Sequence, residues 1–135
     1  MQEEWIRWEP VDGLTGKYSV DTMSLGEQGL IIGLSSLSDN TKKIEIKFEY
    51  AIDAYRYTND SFSFKIAGDL TEKYGREFYG DWSFFKVTNS EYIQWISEKS
   101  CTYADEFAFI HFSIVGSDEI VDVLSRYEPT VAFVE

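Results

Sequence analysis

The sequence has almost none of the residues that staple or punctuate a chain, and little of the chemistry that builds a conventional active site. Cysteine occurs once, at Cys101, so no intramolecular disulfide forms; this excludes a stapled, secreted scaffold and suits a reducing compartment. The two prolines, Pro10 and Pro129, stand near opposite ends, leaving the span between them free to run as a sheet with helices attached. Histidine occurs once, at His111, too seldom for the usual multi-histidine metal shell. Single glycines at Gly13, Gly16, Gly26, Gly29 and Gly33 make no phosphate-cradling fingerprint, and neither a calcium loop nor a zinc spacing is present. No apolar run approaches the roughly 20 residues that span a bilayer. The start, Met1-Gln2-Glu3-Glu4-Trp5, lacks the basic and apolar regions of a signal peptide, so a cytoplasmic location is expected.

Bases are also scarce. Twelve Lys and Arg stand against 24 Asp and Glu, a net charge of −12. Residues 1–58 carry 10 acids and 6 bases, and residues 59–135 carry 14 and 6, so the acidity is spread rather than parked in a tail. Such a surface repels nucleic acid and anionic lipid and speeds encounter with basic partners. Solubility alone also accounts for an acidic surface.

Aromatic residues, in contrast, are abundant: 10 Phe, 9 Tyr and 4 Trp in 135 residues. They favour strands and give one domain of this length, residues 1–135, a large core. The clearest strand is Ile44 to Asp53, with Ile44, Ile46, Phe48, Tyr50 and Ile52 on one face and Glu45, Lys47, Glu49 and Asp53 on the other. This period of two is that of a half-buried antiparallel strand, and it predicts continuation towards Tyr57. Thr58-Asn59-Asp60-Ser61 then reads as a turn into a second strand, Phe62 to Ile66. Gly29 to Leu34, Trp82 to Val87, Phe107 to Val115 and Val131 to Val134 read as further strands, and Lys17 to Val20 as a short edge strand. The turn Ser35 to Thr41 makes a hairpin of Gly29–Leu34 and the Ile44 strand.

Two helices are predicted, with a short third. Thr88-Asn89-Ser90-Glu91 matches a capping box with Thr88 as N-cap. Tyr92, Ile93, Trp95 and Ile96 follow as an apolar stripe ending near Lys99; a packed Trp95 predicts a cost of about 3–5 kcal/mol for Trp95→Ala. A second helix is expected after Gly116-Ser117, with Asp118 and Glu119 in its first turn and Ile120, Val121, Leu124 and Tyr127 buried. Asp69-Leu70-Thr71-Glu72 caps a short third helix that Gly75 ends. Strands in series followed by helices predict an α+β fold, a mostly antiparallel sheet with two or three short helices packed on one face.

Candidate chemistry is thin. His111 reads as a hydrogen-bonded structural histidine, and no Ser-His-Asp set is assigned around it. Cys101 lies just past a helix end, not at the helix start that favours a reactive thiolate, and reads as structural or incidental. The paired acids Glu3/Glu4, Asp105/Glu106 and Asp118/Glu119 are what chance places on so acidic a chain. No catalytic residue, metal or cofactor is therefore expected. One surface set stands out: if the Ile44 strand runs on, Tyr55 and Tyr57 fall in phase with Glu45, Glu49 and Asp53. Tyrosines beside carboxylates compose a contact surface for Lys- and Arg-rich partners, although helices covering this face would make the tyrosines core instead.

Residues 82–134 carry a resemblance. Trp82-Ser83-Phe84-Phe85-Lys86-Val87, then Asn89-Ser90-Glu91-Tyr92-Ile93-Gln94-Trp95-Ile96, then Ile110-His111-Phe112 and Asp118-Glu119-Ile120-Val121-Asp122-Val123-Leu124 ahead of Glu128-Pro129 are similar in layout and composition to the small cytoplasmic immunity proteins of bacterial polymorphic-toxin and contact-dependent inhibition systems. The resemblance implies a non-enzymatic inhibitor that binds one cognate toxin, and the net charge points to a basic, nuclease-like one; a monomer or weak homodimer is expected. The resemblance identifies no contact residues, and Glu45, Glu49, Asp53, Tyr55 and Tyr57 are the candidates by their own composition. Two alternatives stand beside it. One is a ligand-binding or enzymatic domain with a buried carboxylate and His111 in one cleft. The other is a DNA mimic, which needs phosphate-like rows of acids that Lys42, Lys43, Lys47 and Lys65 interrupt.

Overall fold

A computed structural model describes residues 2–49 and 52–134. Within it the hairpin of Gly29–Leu34 with the Ile44 strand forms as expected. β3 (Gly29–Ser36) pairs antiparallel with β4 (Lys43–Phe48), and β3 also takes β2 (Tyr18–Gly26) on its other side. The β2–β3 turn needs glycine at Gly29, whose φ is +95° and where a Cβ would lie 1.9 Å from the Phe48 carbonyl oxygen. The last strand, β9 (Thr130–Val134), adds to β4 and completes a four-stranded sheet in the order β2-β3-β4-β9.

A second sheet has five strands in the order β1-β6-β7-β8-β5, all antiparallel. They are β1 (Glu4–Arg7), β5 (Ala54–Asn59), β6 (Phe84–Thr88), β7 (Ile110–Val115) and β8 (Glu119–Ser125). One face packs on the four-stranded sheet through Leu30, Ile32, Ile44, Ile46 and Phe48 against Phe84, Phe112, Ile114, Val121 and Val123. The opposite face carries Trp5, Phe85, Val87, Val115 and Ile120, and the helices lie on it. The architecture is thus α+β, with two antiparallel sheets face to face and helices covering the outer face of the larger one.

Several expected elements differ, each for an identifiable reason. The Ile44 strand does not run on to Tyr57: β4 stops at Phe48 and β5 starts at Ala54 in the other sheet. Tyr50 and Ala51, named in that strand, lie outside the described residues. Alternation is blind to a chain changing sheets at a corner, because the period of two resumes on the far side.

The segment Phe62 to Ile66 is helical. Asn59 Oδ1 accepts from the Ser61 amide at 2.9 Å and caps a 3₁₀ turn, Asp60–Phe62, which leads into α1 (Phe64–Tyr74). Phe62 and Phe64, whose alternation reads as a strand, are 84% and 77% exposed. The packed residues are Ile66, Leu70 and Tyr74, spaced four apart as a helix requires. Asp69 therefore sits inside α1, paired with Lys65 at 2.9 Å, rather than capping a helix; Gly75 does end it. A single helical turn, α2 (Glu77–Gly80), follows.

The α3 helix (Glu91–Lys99) is capped by Ser90, not Thr88: Ser90 Oγ accepts from the Ile93 amide at 3.0 Å. Thr88 is held in the ladder opposite Glu4, and Asn89 turns the chain at a left-handed φ of 52°. Glu91 does not close a capping box; its amide donates to the Glu3 carboxylate. Tyr92 is buried and Ile93 and Ile96 are half-buried, whereas Trp95 is 48% exposed.

The helix expected after Ser117 is β8. Its residues are buried throughout, because Val121 and Val123 face one layer while Ile120 and Leu124 face the other. A strand covered on both faces loses its alternation and reads like a buried helix. Glu119 serves the strand turn instead of a helix N-terminus, accepting from the amides of Val20 at 2.6 Å and Asp118 at 2.9 Å. Gly116 leaves room for it, since a Cβ there would lie 2.6 Å from Glu119 Oε1.

Candidate functional site: a buried polar array and an open strand edge

β8 brings two groups of residues into reach that the sequence separates. The first lies beneath α3. Ser90 Oγ is 2.7 Å from His111 Nδ1, and His111 Nε2 is 2.7 Å from Asp122 Oδ1. Arg56 Nε donates to Asp122 Oδ2 at 3.0 Å, and its guanidinium lies 4.2 Å from the centre of the Tyr92 ring. With a neutral imidazole every proton has one acceptor: the Ser90 hydroxyl donates to Nδ1, Nε2–H donates to Asp122, and Ser90 Oγ still accepts from Ile93. Burial acts to raise the Asp122 carboxyl, but the hydrogen bond from His111 and the Arg56 guanidinium beside it prevail and hold it below the usual carboxylate range. Burial raises the Tyr92 hydroxyl, with Arg56 opposing.

The histidine is thus hydrogen-bonded, and a carboxylate does stand beside it. His111 and Asp122 are only 1% and 2% exposed, however, and Ser90 is buried with them. Trp5 and Tyr92 pack around the imidazole. The array ties the start of α3 to the centre of the sheet and is closed to a substrate as it stands.

The second group is open. β5 is the outermost strand of its sheet, with β8 its one neighbour. Tyr55 and Tyr57 are opposite Val123 and Val121, so they project to the side of the smaller sheet, and both are exposed. Tyr55 joins Leu25, Ile52 and Trp95 around a shallow groove of about 420 Å³. At the other end of β5, Phe62 and Phe64 follow Tyr57. There the Asp60 amide donates to the Asp118 carbonyl at 2.9 Å, which sets two exposed acidic residues beside the aromatic group. β5 therefore presents aromatic surface along its length and acidic residues at its far end.

The five residues expected to share one face are divided. Tyr55 and Tyr57 lie on this edge, and Asp53 lines its groove but is paired with Arg126 at 3.1 Å. Glu45 stands on the outer face of the four-stranded sheet, opposite Ala132, and Glu49 accepts from Thr130 Oγ1 at 3.3 Å. Their common phase belonged to a strand that changes sheets. Leu25, Asp60, Phe62, Phe64, Trp95 and Asp118 were missed as members of this surface. The available signal was the helical spacing of Ile66, Leu70 and Tyr74, which frees Phe62 and Phe64 from the core.

A larger groove of about 720 Å³ lies between β1, α1 and the start of α3, with Glu3, Lys65, Asp69, Glu72, Lys73 and Glu91 on its walls. Its charges are largely satisfied internally: Lys65 pairs with Asp69, Lys73 donates to the Glu3 carbonyl, and Glu3 accepts from the Glu91 amide. Among the described residues no three His, Cys, Asp or Glu side chains gather as a metal site, and no helix is long and apolar enough to cross a membrane. Comparison with protein-family models, with curated proteins and with solved structures gives no significant match to this chain.

Proposed function

We propose that this protein is an acidic protein-binding module, an immunity-type inhibitor that occupies and neutralises a basic, nuclease-like toxin without catalysis of its own. The observation that carries the reading is the exposed aromatic set Tyr55, Tyr57, Phe62 and Phe64 beside Asp60 and Asp118, on a chain of net charge −12. Aromatic anchors supply contact area with few rotors to immobilise, and the surrounding negative field steers a cationic partner towards them. Exposed phenyl and phenol faces also receive Lys and Arg by cation–π contact.

The test begins with tagged protein in lysate of the native host, at low and at physiological salt, with mass-spectrometric identification of the retained protein. The expected result is one basic protein that is toxic when expressed alone and harmless when co-expressed with this chain. A variant carrying Tyr55→Ser, Tyr57→Ser, Phe62→Ser and Phe64→Ser is expected to remain folded and lose that protection. Retained protection in this variant would remove the β5 surface from the interface. Failure to recover any basic partner at either salt would overturn the inhibitor reading.

A further inference from the structure

The four outer strands of the two sheets are treated differently. The β1 edge is covered: its Trp5 amide donates to the Tyr74 hydroxyl at 2.9 Å, and Arg7 reaches the carbonyls of Glu77 and Phe78. β2 is bulged between Val20 and Thr22, and the Glu119 carboxylate occupies its Val20 amide. β9 is short and follows directly on Pro129. Helix cover, bulges, prolines and short length are the devices by which sheets prevent unwanted strand pairing. Among the described residues none of them acts on β5, whose Ala-Tyr-Arg-Tyr-Thr-Asn sequence contains neither proline nor lysine. Its one charged side chain, Arg56, is turned to the helix side and paired with Asp122.

From this contrast we propose that β5 is a docking edge that accepts an extended, basic segment of a partner as an added strand. The proposal rests on the protein-binding reading above and specifies how binding occurs. An added strand satisfies the main-chain groups that an outermost strand leaves facing water, while alternate side chains fall into register with Tyr55 and Tyr57. Lys or Arg on that face meets phenol rings along the strand and the carboxylates of Asp60 and Asp118 at its end. A second copy of this chain fits poorly, because two molecules of charge −12 would be brought edge to edge.

The experiment uses the full chain and three peptides of about ten residues, long enough to span a typical strand. One alternates lysine and threonine, one is the same peptide N-methylated at alternate residues, and one alternates glutamate and threonine. Amide exchange of residues 54–59 is followed by NMR during titration, together with sedimentation of the free protein. The expected result is slowed exchange at every second β5 amide with the lysine peptide, and binding weakened at least about tenfold by N-methylation, which removes main-chain donors but keeps charge.

Equal binding of the two lysine peptides would overturn strand addition and leave the basic-partner reading standing. Binding of the glutamate peptide as tight as the lysine peptide would do the reverse. Absence of β5 protection at saturating lysine peptide, or protection that moves to β2 or β9, would overturn the docking edge. A dimer of free protein with β5 already protected would make a second copy the occupant and overturn the proposed one.

Discussion

β5 and β8 run side by side in register, from Ala54 opposite Leu124 to Asn59 opposite Glu119, yet their residues meet opposite fates. β8 is buried along its whole length, whereas no residue of β5 is fully buried. In β8 a charged residue survives only with partners, so Asp122 collects both His111 and Arg56. In β5 the same backbone geometry leaves two tyrosines in water and a strand edge facing out. Position within the sheet, not strand propensity, makes one strand a core element and the other a surface for recognition.

The largest expected effect breaks β8. Asp122→Ala leaves Arg56 and His111 without their acceptor and is expected to cost about 3–5 kcal/mol in urea unfolding. The same carboxylate predicts a pH dependence. Its folded pKa lies below the ordinary value, so its stabilisation is complete above the unfolded value of about 3.9 and is lost as pH falls through the lower folded one. The acid-unfolding curve of Asp122→Asn is expected to lack that component.

Ser90→Ala removes both the α3 cap and the donor to His111, with an expected loss of about 1–2 kcal/mol by the same measurement. Lys17, just before β2, is a smaller test. Burial lowers its pKa to about 8 against the pull of Glu119 and Asp81. Between about 8 and the ordinary lysine value of 10.5 the unfolded chain binds more protons than the folded one, so stability from this group rises with pH. Chemical unfolding across that window is expected to show a rise on the order of 1 kcal/mol that Lys17→Met lacks, after allowance for the partial exposure of the ammonium.

The smallest effects belong to the open edge. Trp95→Ala is expected to cost less than about 1 kcal/mol, not the amount a packed tryptophan would, and Tyr57→Ser and Phe62→Ser about 0.5 kcal/mol or less each. Thermal melts of the three variants check this directly. A loss of several kcal/mol at Tyr57 or Phe62 would mean the edge is covered in solution and would erase the contrast between β5 and β8.

Much of this was legible in the residues. Alternation placed β4, a short apolar run and the turn after it placed β3 and their hairpin, the aromatic runs placed β6 and β7, and Gly75 marked the end of α1. Where local pattern erred, two environments shared one signature. Ile120 to Leu124 is apolar enough for a helix stripe or for a strand sealed on both faces, and only the layers above and below choose between them. Phe62 and Phe64 alternate like a strand, but the packed residues of their segment repeat every four.

The site divided in the same way. Tyr55 and Tyr57 were identifiable as candidates because tyrosines near carboxylates carry a meaning in any surface context. Their separation from Glu45 and Glu49 was not, since a strand leaving one sheet for another keeps its phase. Nor did spacing join Ser90, His111, Asp122 and Arg56, which meet only because β6, β7, β8 and β5 pair in that particular order.

What the sequence by itself determined is the charge, the aromatic content, the scarcity of catalytic and stapling residues and the α+β class, because these depend on composition and near-neighbour period. Tertiary structure alone decided which strand is central and which is outermost. Burial and hydrogen-bond satisfaction are properties of a residue's neighbours in space, and those neighbours come from distant parts of the chain.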